Sequence, residues 1–292
     1  MLKDNAINFL LNSYFGISLD ADDEQIINVA INKAYDDATM RNALMQKNKQ
    51  HKDGRDWNAE YQKLYNNTKK ERNACNKEAK ACCIDLIRTE FVEKFVKKDD
   101  INQEQYNQIH SDICKKIEET YDKKYDEQLK TYDKVKDFCA KENNHQKYFT
   151  IGNAQKWVNM TMKNLYILKG VFTDRIEFVD SVVPFLHIPI DNIILCGAYM
   201  RIKADNEKKN DWLESENDCI KEVSKLESYA IKSIDEKKTE KMKYVAWSNL
   251  ETYEDYDNIQ KVLMCLAKVE GEKPIEWECR VWLESAKKMK KE

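Results

Sequence analysis

Glycine and proline are scarce. The 292-residue chain holds 6 glycines and 3 prolines, too few for the closely spaced turns of a β-sandwich or barrel of this length. Long apolar runs are missing as well. No stretch approaches the ~20 apolar residues of a membrane-spanning helix, and MLKDNAINFLLNSYFG has no basic region followed by a clean apolar one, which argues against a secretory leader. Positive charge is not in excess. The formal net charge is −3, which disfavours a non-specific nucleic-acid coat protein but leaves room for a local basic face. Paired metal ligands are absent too. The nine cysteines form no C-x-x-C pair, and His51, His110, His145 and His187 are scattered, so no metal or cofactor is expected. An odd number of thiols without framework spacing fits reduced cysteines in the cytoplasm. No Gly-rich phosphate or dinucleotide fingerprint appears.

What is present points to an all-α protein. Hydrophobic residues make up 42% of the chain, enough for a core, and charged residues 35%, mixed in sign. Residues 1–145 read as an antiparallel helical array and 146–292 as a helical core that carries the candidate site. In the array, Ile7, Leu10, Leu11 and Tyr14 form one stripe. Ile27, Ala30, Ile31 and Ala34 form a second, behind the acids of 20–24 that suit a helix N-terminus. A polar loop over 46–56 precedes a long pattern from Trp57 to Lys98, with Ile84, Ile87, Phe91 and Phe95 on one face. Ile109, Ile113, Ile117 and Tyr121 then recur every four residues. In the core, a charged helix follows Met200 as far as Leu226. Two final helices span about 248–268, opened by a Ser248/Glu251 capping box, and about 274–290, with Pro274 in the first turn.

FTIGNAQKWVNMTMKNLYIL, from Phe149 to Leu168, holds no carboxylate. The preceding acid is Glu142 and the next is Asp174. As a helix it places Val158, Thr161, Met162, Leu165 and Leu168 on one face, and Gln155 or Lys156, Asn159, Lys163 and Tyr166 on another. Lys156 and Lys163 lie two turns apart and line up. Gly152 marks the helix start, where free N–H groups and the dipole favour an anion, so the face suits phosphate. The plain alternative is that Trp157, Met160 and Ile167 pack in the core and the lysines are solvated. The next segment, VVPFLHIPIDNIIL, puts Asp191 at a helix N-cap behind Pro189, with His187 four residues earlier and able to share a pocket with it. Equally, Asp191 is only a cap and His187 only a loop residue.

G-x-A-Q-K-x-x-N (Gly152–Asn159), P-x-D-x-x-I-L (Pro189–Leu195) and W-S-x-L-x-x-Y-x-x-Y-x-x-I-Q (Trp247–Gln260) together resemble an uncharacterised bacterial family, over about Phe149–Trp282. That likeness implies no activity. A weaker one is to the helix-hairpin-helix DNA glycosylases, in which a Gly-rich hairpin leads into a helix that sometimes carries a catalytic lysine. A later segment supplies a catalytic aspartate at a helix start. Gly152 with Lys156, and Ile190-Asp191-Asn192, match in order and type. The L-P-G-V-G hairpin is missing, the gap from Lys156 to Asp191 is long, and no iron–sulfur cysteine cluster follows.

The resemblance implies a DNA-acting enzyme that cleaves an N-glycosidic bond, without cofactor. Asp191 would face positive charge developing on the sugar or activate a water. Lys156 would be the second catalytic residue, and Gly152, Lys156 and Lys163 would hold the backbone. Gln155, Asn159, His187, Tyr253, Tyr256 and Gln260 would line a base pocket, with Trp157, Tyr148 or Tyr166 for stacking. The alternative is a non-catalytic helical module that binds nucleic acid or protein. In that case Tyr253, Tyr256 and Gln260 are packing positions.

Overall fold

The computed structural model describes residues 2–39, 69–97, 101–129, 149–208, 247, 250 and 252–289. Among these the protein is all-α. The helices are α1 (Leu2–Phe15), α2 (Asp23–Thr39), α3 (Lys69–Leu86), α4 (Gln103–Leu129), α5 (Ile151–Lys169), α6 (Phe178–Val182), α7 (Asn192–Lys208), α8 (Tyr253–Val269) and α9 (Pro274–Met289).

α5 is the centre of the arrangement. Ile151 to Asn159 are all buried, and so are Thr161, Met162, Asn164, Leu165 and Leu168. α2 runs antiparallel along it. The reason lies in small residues: Ala30, Ala34 and Ala38 of α2 are fully buried beside Ile26 and Ile31, and short side chains let two helix axes approach closely. α2 starts with a reciprocal cap, in which Gln25 N–H donates to Asp22 Oδ1 at 2.8 Å and Asp22 N–H to Gln25 Oε1 at 2.9 Å. α4 covers another side of α5, and α3 covers α4. Ile109, Ile113, Ile117 and Tyr121 are buried as their spacing predicts. One hydrophobic cluster runs from Leu11 to Val281, through both halves of the sequence.

Several expectations need correction. In α1, Leu11 is buried, but Leu10 is 63% and Tyr14 54% exposed. α1 lies on the surface and covers only the line Ile7, Leu11, Phe15. In α2 the buried face includes Ile26, Tyr35 and Ala38, while Ile27 is half-buried. The third pattern does not end as a plain α-helix: Ile87–Val92 forms a π turn that leads into Glu93–Val96. That widened turn keeps Ile87, Phe91, Val92 and Phe95 all inward. α8 begins at Tyr253 under a Thr252 cap, whose hydroxyl accepts the Asp255 N–H. The loop over 46–56, the start of the third pattern before Lys69, the α7 pattern beyond Lys208, and the Ser248 and Glu251 box lie outside the described residues.

The thiols also divide. Cys82, Cys83, Cys114, Cys196 and Cys279 are free, but Cys265 is disulfide-bonded. The expectation that every thiol is reduced therefore does not hold. No helix among the described residues is long and apolar enough to cross a membrane.

α7 crosses α9 at Gly197. A Cβ there would meet Val281 Cγ1 at 2.5 Å and Ser285 Oγ at 2.7 Å. Gly197→Ala gains helix propensity, about 1 kcal/mol, but overpacks this contact at a cost of about 1–3 kcal/mol. Urea unfolding should show net destabilisation, relieved when Val281→Ala is added.

Candidate functional site

α5 starts cleanly because Thr150 is an extended N-cap whose hydroxyl accepts the Asn153 N–H at 3.2 Å, while the Asn153 side chain reaches back to the Thr150 N–H. Its first-turn amides are not open to an anion. Gly152 N–H donates to Leu250 O at 2.9 Å, and Gln155 Nε2 folds back to Gly152 O at 2.8 Å. The expected phosphate site at Gly152 is thus occupied by the chain itself.

The amide-rich side of α5 turns inward. Asn153 Nδ2 donates to Ala38 O at 3.2 Å, Trp157 Nε1 to Ile31 O at 2.9 Å and Asn164 Nδ2 to Ala30 O at 3.1 Å, all carbonyls of α2. Trp157 is enclosed, edge-on to Tyr35 at 4.7 Å and near Phe149 at 6.1 Å. No ring face is left for a base, which corrects its role as a stacking residue. Ile167, read as a core residue, is 44% exposed. Tyr148 lies outside the described residues.

Both lysines have carboxylate partners brought by other helices. Lys156 Nζ lies 3.2 Å from Asp191 Oδ2, with side-chain exposures of 6% and 21%. The ring of Trp247 is 5.9 Å from the same ammonium. Lys163 Nζ spans both oxygens of Glu278, at 2.9 and 2.6 Å. Burial works against charge on Lys163, but Glu278, Cys279 and Asp191 outweigh it and hold its pKa above the usual lysine value. The carboxylate gap in the sequence is therefore filled from α7 and α9, and neither the solvated reading nor the free phosphate face describes these lysines. Tyr166 sits apart, its hydroxyl 3.4 Å from Glu276 Oε1.

Asp191 is an N-cap, as expected, and more. Its Oδ1 accepts the Ile194 N–H at 2.8 Å while Oδ2 receives Lys156. One carboxylate is held in a fixed orientation by a backbone amide and an ammonium, with about a fifth of its surface open. Lys156 is a donor to it, which suits orienting the carboxylate rather than attacking an electrophile with a free lone pair. A further acid stands nearby. Asp37 on α2 has a buried Oδ2 with no hydrogen-bond partner. Burial raises its pKa, against the pull of Lys156, Lys33 and Lys163.

The remaining candidates meet in one buried network. Asn159 is its hub, with His110 Nε2 at 2.8 Å from Oδ1 and Tyr256 Oη at 2.9 Å and Gln155 Oε1 at 3.0 Å from Nδ2. His187 Nδ1 is 2.8 Å from Tyr256 Oη, and Nε2 is 2.8 Å from Asn107 Oδ1. His110 Nδ1 is 2.9 Å from Tyr253 Oη. With the amide oxygens facing Nε2, each imidazole is the Nε2–H tautomer. The donors then run one way: Tyr253 to His110, to Asn159, to Tyr256, to His187, to Asn107. His187 spends both nitrogens here, on Tyr256 and Asn107, and neither on Asp191. Gln260, also buried, accepts the Ile188 N–H at 3.0 Å and donates to Ile188 O.

Asn107, His110, Asp37 and Glu278 were not singled out from the sequence. His110 had a signal: it follows Ile109 and precedes Ile113 by three within an otherwise apolar stripe. Glu278 had a similar one, between the buried Trp277 and Val281. Among the described residues no group of His, Cys, Asp and Glu side chains is arranged to hold a metal ion. Compared with protein-family models, curated proteins and solved structures, the chain has no match.

Burial pushes His187 down to about 3 and His110 well below the ordinary histidine range, with His187 adding to the effect on His110. The unfolded rings titrate near 6.5. Below that pH the unfolded chain binds more protons than the folded one, so stability falls as pH drops from about 6.5 towards 3, by about 1.4 kcal/mol per unit for each histidine. His187→Gln should remove about that much from the slope, measured by urea melts between pH 7 and 4.

Proposed function

We propose that the protein acts on DNA and cleaves an N-glycosidic bond, as a base-excision glycosylase does, with Asp191 as the acting carboxylate. The observation that carries this reading is the orientation of Asp191, fixed by the Ile194 amide and the Lys156 ammonium beside the Trp247 ring. A carboxylate held this way is suited to face positive charge that develops on a sugar carbon, or to order a water against it. Lys156 serves as its positioning residue and not as a nucleophile. The similarity of Gly152–Asn159, Pro189–Leu195 and Trp247–Gln260 to an uncharacterised bacterial family belongs with this proposal, as does a cytoplasmic location. The free thiols support that location, and the Cys265 disulfide bears the other way.

Asp191→Asn tests the chemistry. Asparagine is as good an N-cap as aspartate, so the cap of α7 is retained while the charge is removed. DNA retention should persist and release of free base should fall by at least ~100-fold, the scale of one electrostatic donor or acceptor in a transition state. Unchanged base release in a folded variant would reject Asp191 as the acting group.

A second reading is a non-catalytic helical module that binds nucleic acid or protein. It is favoured by the inward polar face of α5, whose lysines are both paired within the chain. On this reading no base is released by the wild type. If Lys156 and Lys163 nonetheless contact phosphate, Lys156→Ala with Lys163→Ala lowers the slope of log K against log salt by up to about 2. An unchanged slope assigns any DNA contact to another surface.

A further inference from the structure

We infer that Gln260 is a second positioning residue for Asp191, beside Lys156, acting through the backbone of Ile188; this rests on the reading of Asp191 as the acting carboxylate. The segment from Leu186 to Asp191 crosses the interior without regular secondary structure, and Leu186, His187, Ile188, Pro189 and Ile190 are all buried. Buried backbone outside a helix or sheet needs partners for every N–H and C=O. Pro189 has no N–H and fixes its own φ. Ile188 finds both partners in one side chain: its N–H donates to Gln260 Oε1 at 3.0 Å, and its carbonyl accepts from Gln260 Nε2. Asn159 Nδ2 adds a longer contact to the same carbonyl at 3.4 Å.

A primary amide offers one donor and one acceptor in a plane, which imitates the pairing of a neighbouring strand. Two bonds to the N–H and C=O of one residue set both its position along the segment and its rotation. A slide by one residue would put Pro189, without an N–H, against Gln260 Oε1. Three residues past this clamp Asp191 meets Lys156 and caps α7. The clamp sits on α8, the lysine on α5 and the capped helix is α7, so Gln260 ties the register of the segment to a third helix. His187, the residue before the clamp, is held by Tyr256 on the same helix. α8 thus grips two consecutive residues of the segment.

The test follows the two buried lysine ammonium groups by ¹⁵N NMR in the full chain. In the wild type, Lys156 and Lys163 should both give slowly exchanging ammonium signals. Gln260→Ala should raise the exchange rate of the Lys156 signal by at least ~10-fold, the scale of one lost hydrogen bond to a charged group, and leave Lys163, paired with Glu278, unmoved. Gln260→Glu keeps the acceptor and loses the donor, so it should fall between the two and provides the readout if the alanine variant does not fold. An unchanged Lys156 signal in a folded variant overturns the proposal, as does an equal loss at Lys163, which would mean general loosening. The glycosylase reading fails separately. If the wild type releases no base but the Lys156 signal responds to Gln260, the positioning role stands and the chemistry falls. If base release is present and neither it nor the Lys156 signal responds, the chemistry stands and the positioning role falls.

Discussion

Every buried polar side chain on α5 has to be satisfied inside the protein, and the rest of the architecture follows from that constraint. A helix buried on all sides is ordinarily apolar all round. α5 instead carries Asn153, Gln155, Lys156, Asn159, Thr161 and Asn164 into the interior. Each unsatisfied buried polar group would cost about 1–3 kcal/mol, and more for a charge. The neighbours are therefore chosen by what they offer. α2 supplies carbonyls, α4 and α8 supply histidine and tyrosine, and α7 and α9 supply carboxylates. A packing defect at any of these faces is also an electrostatic defect, so the fit is specific in a way that apolar contact alone does not enforce.

The two lysines illustrate the balance. Buried ion pairs are close to neutral against an apolar substitute, but losing one partner leaves a desolvated charge at a cost of about 3–5 kcal/mol. Lys156 with Asp191 and Lys163 with Glu278 thus add little net stability while they fix which ends of α7 and α9 face α5. Asp37 keeps a buried oxygen without a hydrogen-bond partner, and burial raises its pKa. Asp37 lies close enough to the Lys156 and Lys163 charges to feel both.

The network through Asn159 has a direction. If either histidine took a second proton, its Nδ1 would change from acceptor to donor and face a tyrosine hydroxyl that itself donates. Burial already disfavours that proton, and the chain of donors disfavours it again. Tyr253 and Asn107 are the partly exposed ends, and between them Asn159, Tyr256, His110 and His187 are buried. The network and the Asp191 turn are joined at His187 and Ile188, so the order of the interior passes to the residue with the candidate chemistry.

Helix class, the buried face of α4, part of that of α2, the Asp191 cap and the start of α9 at Pro274 were legible in the sequence. Periodicity, capping and the shortage of Gly and Pro are local properties, and they act within one or two turns. The α5 motif residues were legible as a set, but their roles were not. Whether Lys156 and Lys163 face solvent, phosphate or a carboxylate depends on helices that arrive from Asp191 and Glu278, 35 and 115 residues away. His110 was passed over because its partners, Asn159 and Tyr253, lie 49 and 143 residues away. Composition and spacing by themselves determined that this chain forms amphipathic helices with one carboxylate-free segment among them. Only the tertiary structure decided that the segment is the centre, because the partners that neutralise it are long-range, and chain order along α5 carries no information about which distant acid will meet which lysine.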